Sequence, residues 1–238
     1  HLSLRRQRQM CIRDRLDRVG PLALDGPVAS GKSSVGRNIA NRLGWVFADT
    51  GLMYRAIGYL MSLHEIKSGG SKNLLEMAHS ATIDISDEQV VLNGETITPH
   101  IRSPEIANNA SIAAESSEIR NLLVSQQREL ASKTRGKIVM VGRDITTIVI
   151  PDAPFKFFLD APSSIRAQRR LSERIETTPD LVISEVLKDI DKRDKRDRER
   201  NVSPLTLSPG TTLINTEDLS LESVVEKILT LIENPEGA

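Results

Sequence analysis

A chain of 238 residues with 32 basic and 32 acidic side chains has a formal charge of zero, and 39% of it is hydrophobic. That is enough apolar material for a packed core, which excludes a disordered polyelectrolyte. No apolar run approaches the ~20 residues of a membrane span, and a single cysteine, Cys11, excludes a disulfide framework.

The first fifteen residues, His1 to Arg15, carry five arginines and one aspartate, a local charge of +4. They hold no apolar run long enough for a signal peptide. A basic arm for nucleic acid is one reading. The other is a non-native extension, because the stretch resembles a translated sequencing adapter, and residues 1–15 are set aside on that ground. The native chain is then expected to start somewhat upstream of Val19. Residues 16–238 keep a formal charge of −4 and no cysteine, so no bias towards nucleic acid and no thiol chemistry remain. They suit a single domain, expected to be cytoplasmic and without a membrane partner.

The apolar run Leu22–Leu24 predicts a strand. Gly26, Pro27, Val28, Ala29, Ser30, Gly31, Lys32 and Ser33 follow as a complete G-x-x-x-x-G-K-S phosphate loop. Val35, Ile39 and Leu43, spaced by four, predict the helix that follows, and Ser34 is counted with the loop as binding the donor nucleotide. Glycines let successive N–H groups turn inward on an anion, and the helix adds its positive end. Lys32 would reach the outer phosphates and Ser33 would hold a magnesium ion.

Further apolar runs at Trp45–Ala48, Ile138–Val141, Phe155–Leu159 and Leu213–Ile214 predict strands buried on both faces. Helices are predicted at 33–43, 52–66, 116–134, 163–177, 180–199 and 220–232. The alternation predicts a parallel sheet with helices on both sides. Between Ala81 and Thr98 the pattern changes to short alternation, and Asn93-Gly94 predicts a tight hairpin. This reads as a small antiparallel insert hung above the carboxyl edge of the sheet, placed to grip a second substrate. The alternating charges from Asp189 to Arg200 predict a solvated, salt-bridged helix face, on which Arg193, Asp197 and Arg200 share one side at spacings of four and three. His64, His79 and His100 show no metal-ligand spacing.

Asp49-Thr50-Gly51-Leu52-Met53-Tyr54-Arg55 follows the second run, and Gly142-Arg143-Asp144 ends the third. Together with the I-R-x-x-E-I-A-N and R-D-x-R-D-R-x-R series, these motifs resemble those of bacterial cytidylate kinases, a branch of the nucleoside-monophosphate kinases, over about residues 19–232. The resemblance implies an α/β P-loop kinase fold. Its five-stranded parallel sheet would run in the order 2-3-1-4-5, with a monophosphate-binding insert at about 68–115 and a short lid at about 170–195. It implies transfer of phosphate from ATP, with Mg2+, to CMP and also dCMP, by a monomer. Lys32, Arg55, Arg143 and Arg200 would be the catalytic cations. Thr50, Tyr54, Arg55, Arg143 and Arg200 would grip the acceptor phosphate, with Arg102 assigned to the insert. Ser111, Arg120 and Asp144 would read cytosine, and Arg193 and Asp197 would hold the ribose. Arg166, Arg169 and Arg170 would face the triphosphate, Arg166 being equally readable as a surface salt bridge.

The chemistry suits these residue types. Guanidinium forks neutralise a phosphate dianion bidentately, and an ionised Asp144 would accept from the cytosine amine and repel the uracil carbonyl. Thr146 stands where the family pattern has glycine, so strain is expected if that position needs a positive φ. Two other readings are a monophosphate kinase preferring UMP or AMP, and a nucleotide switch or regulatory module. The sequence has no N-K-x-D tetrapeptide after the loop, as a guanine switch would.

Overall fold

The structure, a computed structural model of the chain, describes residues 20–86, 89–175 and 178–234. The extension assigned to residues 1–15 lies outside them. The strands in chain order are β1 (Leu22–Asp25), β2 (Val46–Asp49), β3 (Ile83–Ser86), β4 (Gln89–Leu92), β5 (Glu95–Thr96), β6 (Ile138–Val141), β7 (Phe155–Asp160) and β8 (Thr212–Asn215). The helices are α1 (Lys32–Leu43), α2 (Thr50–Leu63), α3 (Lys72–Ser80), α4 (Pro104–Ala113), α5 (Ser117–Lys133), α6 (Ser163–Arg174), α7 (Ile183–Glu199) and α8 (Leu221–Glu233).

Every side chain of β1 is buried, as its unbroken apolar run requires of a strand with both faces covered. It lies centrally, pairing in parallel with β6 (Leu22 beside Val139) and β7 (Leu22 beside Phe155). The sheet order is β2-β6-β1-β7-β8. Numbered among the five parallel strands alone, that is 2-3-1-4-5. The three strands of the insert shift the labels in whole-chain numbering. Val35 and Ile39 of α1 and Val225 and Ile228 of α8 cover one face, against Leu22, Leu24, Val139 and Leu159. Val124 of α5 covers the other, with Ala23, Ile138 and Met140. The sheet is therefore clamped between two apolar layers, and its carboxyl edge is left to the loops.

The insert is a second, antiparallel sheet in the order β3-β4-β5. Asn93 and Gly94 both take positive φ, 52° and 84°, the geometry a two-residue hairpin turn demands. Two helices that the periodicity does not predict flank it. Helix α3 spans only nine residues and buries Leu74 and Ala78. Helix α4 is built of small residues, so it carries little apolar periodicity. Its start is nevertheless signalled: the Ser103 hydroxyl accepts from Ile106 N at 3.2 Å, and Pro104 occupies the first turn. A Cβ on Gly58 would lie 2.7 Å from both Ala110 N and Ile106 O, so α2 and α4 meet backbone to backbone. Helix α2 starts at Thr50 rather than 52, because the Asp49 carboxylate caps it by accepting from Gly51 N at 3.0 Å.

Candidate active site

The phosphate loop leaves β1 and enters α1. A Cβ at Gly26 would lie 2.1 Å from Leu159 O, and Gly31 has φ 91°, so both positions require glycine. Lys32 is 6% exposed, and its Nζ donates to Pro27 O at 2.6 Å and Ser30 Oγ at 3.1 Å. Burial first, then the Arg143 charge, holds its ammonium well below the usual lysine range. The Ser33 hydroxyl donates to Asp49 Oδ2 at 2.6 Å. A hydroxyl beside one carboxylate is the oxygen donor set that a magnesium ion takes together with substrate phosphates. Among the described residues, no cluster of three or more His, Cys, Asp or Glu side chains could hold a metal without such help. Asp49 opens a motif singled out in the sequence, yet its part beside Ser33 shows only once β2 brings it to the loop.

Val28 behaves differently from the rest of the loop. Its N–H is donated to Asp194 Oδ1 at 3.2 Å, not into the loop's hollow, and its C=O accepts from Arg166 Nη1 at 3.0 Å. Arg166 is buried rather than exposed on the surface, and Arg169 donates to Thr216 Oγ1 at 3.0 Å and Thr216 O at 2.5 Å. These two arginines therefore brace loops. Arg170 pairs with Glu173 at 3.0 Å, and its charge reaches Arg55 and Arg193.

A second set of cations converges from α2, the β6 turn and α7. Arg55 donates to Ile101 O at 2.5 Å. Burial and then the Arg170 charge push its pKa down to about 10, with Arg143 and Arg102 adding to the shift. Arg193 is pushed down to about 10 by burial and then by Arg143. Arg143 Nε donates to Asp197 Oδ2 at 3.0 Å, and Arg200 Nη1 lies 3.8 Å from Asp197 Oδ1. Burial would raise the Asp197 pKa, but Arg143, Arg193 and Arg200 outweigh it and hold the carboxylate ionised. Cations that depress one another in this way are what a polyanion relieves.

Thr50 Oγ1 donates to Val141 O at 2.9 Å, which ties the start of α2 to β6. Arg120 and Asp144 form a buried ion pair, with side chains 2% and 6% exposed. The Arg120 guanidinium lies 5.4 Å above the Tyr54 ring. Tyr54 OH, Arg120 Nε, Ser111 Oγ, Arg193 Nε and Arg200 Nη2 are buried without a hydrogen-bond partner. Tyr54, Arg120 and Arg200 sit within electrostatic reach of one another. Orphaned buried donors of this kind cost stability unless a polar ligand satisfies them.

The strain expected at Thr146 is absent. Among the described residues the non-glycine positive-φ positions are Ala29, Glu65, Asn93, Arg135 and Ser203. Thr146 instead donates through Oγ1 to Asp25 Oδ2 at 2.7 Å. Asp25 also accepts from Thr146 N at 2.7 Å and Ile145 N at 3.0 Å, at the start of the π-helical turn Ile145–Val149. Fully buried at the end of β1, it pins the segment just after Arg143-Asp144. The sequence gives no sign of this beyond an acidic residue directly before the loop. Asp25→Asn turns one acceptor atom into a donor facing N–H groups, and an unmade buried hydrogen bond costs about 1–3 kcal/mol. A melting temperature several degrees lower is expected. An unchanged melt would show that the three bonds are not holding the turn.

The model of the family described as cytidylate kinase matches residues 22–234. The chain is 41% identical over 218 residues to a cytidylate kinase of Caldanaerobacter subterraneus subsp. tengcongensis, covering 91% of this chain and 96% of that one. It is 40% identical over 213 residues to a cytidylate kinase of Clostridium tetani, covering 90% and 93%. Among solved structures, an uncharacterized protein from Eubacterium ventriosum aligns with TM-score 0.50 and 15% identity, over 91% of this chain and 99% of that one. That likeness speaks to fold alone. With the two-sided cation arrangement at the carboxyl edge of the sheet, the family match and these identities show that the chain belongs to the cytidylate kinase family.

Proposed function

We propose that the protein transfers the γ-phosphoryl group of ATP to CMP, and also to dCMP, giving ADP and the nucleoside diphosphate. One observation carries this reading: a glycine loop with a buried lysine faces a separate set of guanidiniums from three segments of the chain. A single-nucleotide switch has no use for the second set.

In this reading Gly26, Pro27, Ala29, Ser30, Gly31, Lys32, Ser33 and Ser34 hold the donor phosphates. Lys32 would leave Pro27 O for the outer phosphates, whose charge restores its ammonium. Arg55, Arg143 and Arg200 bind the acceptor phosphate, with Thr50 and Tyr54 beside it and Arg102 at the insert. Ser111, Arg120 and Asp144 read the base, and Arg193 and Asp197 hold the sugar. Ser33 with Asp49 would hold Mg2+, which when bound neutralises charge on the outer donor phosphates. No general base is needed, because the acceptor phosphate ionises near pKa ~6 and is already nucleophilic at neutral pH. The protein's part is positioning and charge stabilisation. We assign the acceptor insert to about 68–115 and the lid to about 170–195, and place the protein in the cytoplasm as a monomer. Among the described residues no helix is long and apolar enough to cross a membrane.

The test is ADP release measured across CMP, dCMP, UMP, AMP, GMP and dTMP. CMP and dCMP should give the highest kcat/KM. ADP release at the same rate with and without CMP would sink the reading.

A further inference from the structure

We propose that Arg166 and Asp194 are positioning residues for this reaction, and that their buried pair ties the shape of the phosphate loop to the helix that carries the acceptor-site charges. The inference rests on the functional reading above and adds a link between its two halves.

The geometry is a closed ring around one peptide residue. Arg166 Nη1 lies 2.6 Å from Asp194 Oδ2, and both side chains are 4% exposed. The same guanidinium donates to Val28 O at 3.0 Å, while Asp194 Oδ1 accepts from Val28 N at 3.2 Å. Arg166 Nε donates to Ala161 O at 2.8 Å, which fixes the arginine to the end of β7. Both backbone polar groups of Val28 are thus satisfied by side chains more than a hundred residues further along the chain.

An apolar contact reinforces the ring. The Val28 and Ala29 side chains pack against Ala167 of α6 and Val186 and Ile190 of α7. Ala29 is held at φ 57°, a left-handed conformation that alanine adopts only when its surroundings impose it. The tip of the phosphate loop is therefore shaped by α6 and α7 as well as by its own glycines.

Helix α7 also reaches the other half of the site. Its buried stripe runs Val186, Ile190, Asp194, Asp197. Asp194 serves the loop, and Asp197, one turn on, pairs with Arg143 at 3.0 Å and lies 3.8 Å from Arg200. A charge pair withdrawn from water is a costly way to join helices that leucines could join. It supplies something leucines cannot: a donor and an acceptor aimed at both polar groups of one loop residue. An acceptor nucleotide that settles α7 through Arg193, Asp197 and Arg200 would then settle the loop, and the donor would bind an already ordered loop.

The test is calorimetric binding of a non-hydrolysable ATP analogue, with and without saturating CMP, to the full chain. In the wild type, CMP should tighten analogue binding by about fivefold or more. Asp194→Asn keeps an acceptor for Val28 N but loses the charge, and should bring that factor to within about twofold of unity. CMP binding measured alone should change by less than about threefold. Arg166→Lys keeps charge but not the fork, and should also lose most of the coupling while its kcat falls more than its KM for CMP rises. It stands as the second variant should Asp194→Asn fail to fold, as read by circular dichroism. A pair that is merely structural would lower the melting temperature and leave the coupling factor intact, which would overturn the proposal. So would a wild type that binds both nucleotides without coupling. A wild type that shows no CMP-dependent ADP release overturns the functional reading instead, so the two failures are distinct.

Discussion

Lys32→Ala should lower kcat by at least about 10³-fold, because electrostatic stabilisation is the main catalytic contribution in phosphoryl transfer and the reaction offers no covalent route around it. The same substitution should leave the melting temperature of the nucleotide-free protein unchanged or raise it. Burial holds the ammonium well below its ordinary pKa, so at neutral pH the unfolded chain binds this proton more tightly than the folded one. That imbalance opposes folding at every pH below the unfolded value, and alanine removes it. Activity and stability should therefore move in different directions. The measurement is kcat at saturating ATP and CMP alongside a thermal melt. A near-normal kcat would take Lys32 away from the phosphates. A large drop in both would assign it to holding the loop through Pro27 O and Ser30 Oγ.

The parts of this molecule that were legible in the sequence are those whose cause is local. Leu22–Leu24 and Ile138–Val141 are short, unbroken and apolar, and only the middle of a parallel sheet accepts such a segment. Gly26 and Gly31 mark backbone that no other residue can adopt. Asn93-Gly94 specifies its own turn. Helices α3 and α4 escaped because their apolar faces are short and are completed by α2 and the insert sheet rather than by their own periodicity. The buried charges escaped for a different reason. Asp25 is answered by Thr146, 121 positions on, and Asp194 by Val28, 166 positions back. No local pattern records such a pairing. One clue was present in α7, where the apolar spacing of Val186 and Ile190 continues into Asp194 and Asp197. Carboxylates on the extension of a buried stripe are committed to partners, whereas Asp191 and Lys195 on the outer face are exposed. Thr146 shows the reverse case. A residue expected to carry strain is there as a hydrogen-bond donor to Asp25.

Asp144→Asn should narrow the preference for CMP over UMP by one to two powers of ten. As a carboxylate, Asp144 can accept from the exocyclic amine of cytosine and must repel the carbonyl that uracil carries in its place; asparagine can donate to that carbonyl. A hydrogen bond to a charged group is worth about 1.5–3 kcal/mol, and each ~1.4 kcal/mol is tenfold in rate. The buried pair with Arg120 complicates the experiment in a predictable way. Removing one partner of such a pair leaves a charge unanswered and costs about 3–5 kcal/mol, so the variant should also melt earlier. Total activity is then a poor readout, since a smaller folded fraction depresses both substrates together. The ratio of kcat/KM for CMP to that for UMP is not, because the concentration of active enzyme cancels from it. Asp144 also lies two residues before Thr146, which Asp25 pins, so the carboxylate is held on a fixed backbone and its loss should not be masked by local rearrangement. If the ratio is unchanged while both efficiencies fall, Asp144 serves only as the counter-ion of Arg120. The cytosine preference would then have to come from Ser111 or from Arg120 itself, whose Oγ and Nε are among the buried polar atoms left without a hydrogen-bond partner.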